Sequence, residues 1–297
     1  MPMMSVANLK KITPYLFLLP TFTVLILVNI YPLIWGFIIS LQEYKVTFSG
    51  IVVNYIGFNN YLLLLNDNLF IQSLLNTIIY SFTSVALQFL LGLMVALSLN
   101  ENFRGRTFFR TVILIPWVMP TVAASYLFKW LFHPFLGMIN DILYTKLHLT
   151  SEPLLWLNVA ELAFPTAILV NLWKGFPFYA VMLLASLQSI PESLYEAAKI
   201  DGADRFQRFR YITLPSITFI SMVLIILGLV WNFNGVTLIY TLTGGGPGYA
   251  TLISPVYAYN IAFTNLHYGY GSAMGWFIFP FTLTLIFLYT WLMLKKE

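Results

Sequence analysis

Three stretches carry side chains able to do chemistry, and each interrupts a long apolar run. Asn171-Leu172-Trp173-Lys174-Gly175-Phe176-Pro177-Phe178 sets an amide, a cation, a glycine and a proline among aromatic rings. Trp231-Asn232-Phe233-Asn234-Gly235 repeats the pairing of amides with rings. Amides hydrogen-bond hydroxyls and rings stack on C–H faces, which together is the chemistry that holds a sugar. The same asparagines also read as polar glue between helices. Lys174 either pairs with backbone carbonyls or a partner's acid, or meets substrate, since an unpaired cation at such depth costs about 2.5 kcal/mol or more. The third stretch, Ile190 to Pro215, is charged. Six of the chain's 26 charged residues lie between Glu196 and Arg208, a seventh is Arg210, and none occurs from Tyr211 to Leu294.

Other chemistries find little support in the sequence. There is no cysteine, so thiols and disulfides contribute nothing. His133, His148 and His267 are scattered without metal-ligand spacing, and no catalytic or metal residues are assigned. Gly244-Gly245-Gly246-Pro247-Gly248 lacks the lysine of a phosphate-binding loop. No carboxylate of the kind that drives a proton or sodium pump sits in mid-span; Glu161 falls at the outer edge of the fourth. Energy for any uphill process must come from another subunit.

These stretches are positioned by membrane helices. The chain is 59% hydrophobic and 9% charged with a mean hydropathy of +0.81, far from the composition of a soluble domain. Continuous apolar runs fit helices of about 20 residues rather than alternating barrel strands. Six spans are expected, at about Tyr15–Leu41, Gln72–Leu99, Thr107–Leu131, Val159–Leu187, Ile217–Leu242 and Ala273–Leu294. Pro116 and Pro120 mark a kink in the third, and Trp117, Trp130, Trp156, Trp276 and Trp291 read mostly as interface anchors or packing. The first run follows Lys10 and Lys11 and is too long for a cleaved signal, so it reads as a retained anchor. The expected fold is all-α, one membrane domain over residues 1–297 with its core at about 72–294, a first span plus outward loop in 1–71, and a cytoplasmic loop at 188–216. With the N-terminus inside, eleven of fifteen Lys and Arg face the cytoplasm, leaving Lys45, Lys129, Lys146 and Lys174. Both termini and the charged stretch are then cytoplasmic. The net charge of +4 is a topology signal and not a nucleic-acid footprint.

Within the charged stretch, Pro191 and Glu192 suit a helix N-terminus, and Gly202 suits the left-handed residue that ends one. Asp204 is expected to cap a second short helix, Arg205–Ile212, before Leu214-Pro215 turns the chain back into the membrane. Ala197-Ala198 gives a thin face for a partner, while Glu196, Asp201 and the arginines anchor its rim. A helix lying on lipid headgroups is the alternative.

Glu196-Ala197-Ala198, three residues, Gly202, nine residues, Ile212-x-Leu214-Pro215 resembles the EAA loop of binding-protein-dependent ABC importer permeases, at every fixed position and both gaps. The resemblance covers most of the chain from about Gln72. It implies a prokaryotic inner-membrane permease whose loop seats in a cytoplasmic ATPase through Glu196, Ala197, Ala198, Asp201, Gly202, Ile212, Leu214 and Pro215. It also implies a second homologous permease, two ATPase subunits that bind ATP and Mg, and an extracellular sugar-binding protein, with no cofactor on this chain. Leu242-Thr243-Gly244-Gly245-Gly246-Pro247 and the two polar stretches resemble the first permease of maltose-type importers. Carried over, sugar contacts fall on Asn171, Lys174, Gly175, Phe178, Gly228, Trp231, Asn232 and Gly235. Gly228 stands where that pattern has serine, Gly235 where it has asparagine, Phe178 tyrosine and Lys174 leucine. A permease for glycerol-phosphate or another polyol shares the same motifs, and a stand-alone channel or secondary carrier is the remaining alternative.

Overall fold

The computed structural model describes residues 6–294. Lys295 and Lys296, counted above as inner cations, lie outside the described residues, as do the side chains of Lys10 and Lys11. The chain forms two compact units, one of residues up to Asn66 with Asn260–Phe277, the other of Asp67–Tyr259 with the residues from Ile278 onward.

Among the described residues five helices are long and apolar enough to cross a membrane: Phe17–Ser40, Asn68–Asn100, Ala160–Gln188, Arg205–Phe233 and Tyr268–Leu294. A sixth span is a broken pair, Arg106–Val118 and Thr121–Leu131, meeting at 93°. These are the six expected spans of a mostly helical membrane protein, with three local differences. The third span bends far more sharply than a kink, because Met119 precedes Pro120 and takes an extended conformation (φ −61°, ψ 131°). The fifth begins at Arg205, twelve residues earlier than expected, and ends at Phe233, where Asn232 and Asn234 turn their amides back onto the Gly228 and Val230 carbonyls. Leu214-Pro215 therefore does not turn the chain: a π-helical turn at Phe209–Thr213 carries the helix straight through, with the proline in the first turn of the following α segment.

In the smaller unit the segment after the first span forms an antiparallel hairpin, Gln42–Thr47 with Gly50–Tyr55, pairing Thr47 with Gly50. An all-helical reading did not foresee it. Buried Asn60 ties it down by donating to the Ser40 and Gln42 carbonyls. Lys45 pairs with Glu43 at 2.6 Å, and that contact holds the Glu43 carboxyl below the usual range.

In the larger unit the second span starts at Asp67, whose carboxylate accepts from the Leu69 and Phe70 amides. Its buried face is a stripe of small and polar residues, Ser73, Thr77, Ser81, Ser84, Gln88 and Ala96. Small residues let membrane helices approach closely, and the fourth span packs parallel along this stripe. Tyr80 lies beside Ala167 in one buried cluster, and Ala96 and Leu99 lie beside Leu183 and Leu187 in another. The C-terminal ends of both spans thus share one end of the unit, where Ile217 of the fifth span joins them.

Candidate substrate cavity and coupling helix

Between the two clusters lies a cavity of about 310 Å³, within the range of small-molecule sites. Its wall on one side is aromatic. Trp117 and Phe178 have ring centroids 5.6 Å apart, and Phe178 and Trp231 are 5.0 Å apart. The other side is polar. Gln88 Nε2 donates to the Asn171 carbonyl at 2.8 Å, Asn171 Nδ2 donates to Asn232 Oδ1 at 2.6 Å, and Asn232 Nδ2 donates to the Gly228 carbonyl at 2.8 Å. This relay ties the second, fourth and fifth spans at one depth. The tyrosine hydroxyl of Tyr179, a lining residue that is 2% exposed, has no hydrogen-bond partner among the described residues.

Lys174 donates to the Met119 carbonyl at 2.8 Å. The 93° break strips that carbonyl of a helical partner, and an unpaired backbone oxygen inside a membrane is expensive. One contact satisfies both the orphan acceptor and the ammonium. Backbone pairing, one of the two roles open to Lys174 in the sequence, is thus present, and the residue also lines the cavity.

The cavity gathers Asn171, Lys174, Gly175, Phe178, Trp231, Asn232 and Gly235. A side chain on Gly175 would run into the Gln88 carboxamide, so this glycine is what lets Gln88 cross to Asn171. Gly228 is not among the lining residues; it lies behind the wall against Tyr179 and Val85. Trp117, read as an anchor or packing residue, instead faces the cavity because the bend brings it there. Tyr80, Gln88, Thr121, Tyr179, Thr237 and Leu238 complete the lining and were missed. Polar spacing along the second span (Ser81, Ser84, Gln88) was the available signal for Gln88.

At the far end of the unit, Glu192–Ile200 is a helix followed by Gly202 at φ +79°. The Gly202 amide donates to the Lys199 carbonyl at 3.1 Å and the Ala203 amide to the Ala198 carbonyl at 2.8 Å. These are the two bonds of a Schellman ending. Asp204 and Gln207 form a reciprocal capping box that starts the next helix. One residue not foreseen joins the two: the Tyr195 hydroxyl is 2.9 Å from Thr213 Oγ1, in the π-helical turn that leads into the fifth span. Glu196, Ala197, Asp201 and Gly202 are exposed, so their surface is available. Among the described residues no three His, Asp or Glu side chains are grouped to hold a metal.

Fold and cavity define a multi-pass helical membrane protein with a polar and aromatic chamber between its central spans. Residues 88–295 match the family described as the binding-protein-dependent transport system inner membrane component, and the chain belongs to that family. It is 40% identical over 274 residues to the trehalose/maltose transport system permease protein MalF of Thermococcus litoralis, covering 92% of this chain and 90% of that one. It is 33% identical over 287 residues to the sulfoquinovosyl glycerol transport system permease protein SmoG of Agrobacterium fabrum, covering 97% and 92%. Among solved structures, a chain of a bacterial ABC transporter that imports the acidic polysaccharide alginate superposes with a TM-score of 0.83 at 25% identity, over 96% of each chain.

Proposed function

We propose that this chain is the membrane-spanning subunit of an ATP-driven importer that carries a sugar or oligosaccharide by alternating access. The observation that carries this reading is the cavity: rings on one wall and amides on the other, at the depth where three spans are tied together. The fifth span supplies Trp231 and Asn232 to that cavity and runs without a break back to Arg205. Movement imposed on the helix Glu192–Ile200 therefore has a rigid path to the substrate. In this reading two ATPase subunits, which bind ATP and Mg, dock on Glu196, Ala197, Ala198, Asp201 and Gly202, with Ile212, Leu214 and Pro215 carrying the motion onward. A second permease completes the pathway, and a sugar-loaded binding protein docks on the outward loops. The termini and the charged loop are cytoplasmic.

The test is reconstitution of the chain with its partner subunits and uptake of labelled trehalose and maltose, with sulfonated, uronic-acid, glycerol-phosphate and polyol competitors. Competition by neutral disaccharides and ATP dependence support the proposal. Substrate-specific flux through the chain alone would make it a channel or carrier. Lys174 keeps two ammonium protons beyond the one given to Met119, so competition by the anionic sugars alone would assign it to charge recognition.

Two variants follow from the geometry. Lys174→Leu strands the Met119 carbonyl and is expected to impair uptake more than Lys174→Arg, which keeps a donor; equal uptake by both removes Lys174 from the pathway. Tyr195→Phe breaks the contact with Thr213, worth about 0.5–1.5 kcal/mol for a typical hydrogen bond. Uptake per ATP hydrolysed is expected to fall about threefold, and Tyr195→Phe with Thr213→Ala should be no worse than either alone. Additive losses would show that the two side chains act separately.

A further inference from the structure

At the end of the larger unit that carries Leu99 and Leu187, the connection between the second and third spans has a feature separate from the cavity and from the helix Glu192–Ile200. The last turns of the second span and the helix Arg106–Val112 diverge from residues 101–105. They leave an apolar groove of about 460 Å³ lined by Met94, Leu99, Phe103, Phe109 and Val112 among others. A polar depression adjoins it, formed by Asn102, Arg104, Gly105 and Arg106 and sharing Phe103. Phe103 thus divides a hydrocarbon-lined slot from a cationic rim.

The rim's cations are not used up internally. Arg106 donates to Asn102 Oδ1 at 2.9 Å, and Arg110 donates to the Leu99 carbonyl at 3.3 Å while its Nε has no partner. Arg104 is exposed. Among the described residues none of the three pairs with a carboxylate. Glu101 is the one acidic residue between Asn100 and Arg110, so the segment keeps two net positive charges.

We propose that this is a binding site for an anionic phospholipid, with the phosphodiester on Arg104 and Arg106 and one acyl chain in the groove. Guanidinium groups bind phosphate oxygens in a two-pronged geometry, and basic pockets at the ends of membrane helices hold lipid headgroups. The groove flanks two membrane-spanning helices, so an acyl chain enters it without leaving the bilayer. A protein surface would need carboxylates over the rim and apolar side chains over the slot, whereas one phospholipid molecule supplies both chemistries.

The test uses the full chain in native membranes and, purified, in nanodiscs, with photoactivatable phosphatidylglycerol and phosphatidylcholine as probes. Phosphatidylglycerol is expected to label residues 94–113, and phosphatidylcholine several-fold less. Labelling should drop at least fivefold in Arg104→Gln/Arg106→Gln and in Val112→Trp, which fills the slot, and recover in Arg104→Lys/Arg106→Lys. Because Arg104 is exposed, Arg104→Gln alone is the control that leaves folding intact, and it should lose part of the signal. Equal labelling by the two lipids, or unchanged labelling in the glutamine variants, overturns the site. Competition by millimolar inorganic phosphate would make it a free-anion site. Labelling in nanodiscs but not in native membranes would show that a partner protein covers the groove. Either result overturns the lipid assignment.

Discussion

Gly202→Val is expected to abolish uptake while the chain still inserts in the membrane. A Cβ on Gly202 would meet no atom within 4 Å, so crowding is not the cause. The cause is the backbone: φ is +79°, a left-handed value that a β-branched residue adopts only under strain. That strain is about 1–3 kcal/mol, comparable with what the two closing bonds of the helix contribute. The helix therefore ends elsewhere, and the surface of Glu196, Ala197 and Ala198 loses its register against a rigid partner. Gly202→Asn grades the effect, because asparagine tolerates the left-handed region. Since about 1.4 kcal/mol corresponds to tenfold, valine should lower uptake more than tenfold and asparagine only a few-fold. The measurement is labelled-sugar uptake beside membrane insertion and ATPase co-purification. Transport by the valine variant at the native rate, with ATPase bound, would end the coupling role of this loop. Glu196→Lys, which reverses the rim charge, should likewise lose ATPase binding without losing insertion.

Gly202 was legible in the sequence because its reason is local. A helix ending is written within six residues, and the capping box at Asp204 and Gln207 is local too. The six spans were legible for the same reason, since an apolar run declares itself without reference to its neighbours. What depends on neighbours was not. Pro120 predicts an extended Met119 but not a 93° turn, and Pro165, Pro177 and Pro280 remain inside helices. Proline supplies the permission, and packing of the third span decides the angle. Trp117 became a cavity residue only through that angle. The end of the fifth span depended on which way the asparagine amides turned, inward onto their own helix, which hydropathy does not record. The hairpin at 42–55 has alternating Tyr44 and Val46 opposite Val53 and Ile51, too short a signal beside a 24-residue apolar span.

Gly228 is the counterpart, a glycine whose reason is entirely tertiary. Its helix has ordinary backbone angles, yet a Cβ there would coincide with the Tyr179 hydroxyl and come within 3.1 Å of Val85 Cγ2. Tyr179 is 2% exposed and cannot retreat, because its other side abuts Gly92 of the second span, where even a Cβ would lie 2.6 Å from Tyr179 Cβ. Gly228→Ala is therefore expected to destabilise the chain by about 1–3 kcal/mol, the usual cost of overpacking. Tyr179→Phe removes the clashing oxygen and also an unpartnered buried hydroxyl, so alone it should leave folding unchanged or slightly better. In the double variant thermal stability should recover by about 1–2 kcal/mol relative to additivity, the scale of coupling between contacting residues. Uptake should not recover with it if the hydroxyl serves the substrate, because phenylalanine has no group to offer a sugar. Stability that stays low in the double variant would mean that the remaining neighbours at 3.1 Å, the ring Cζ of residue 179 and Val85 Cγ2, set the limit at Gly228. Uptake restored together with stability would move Tyr179 out of the binding role and leave Gln88, Asn171 and Asn232 as the polar wall.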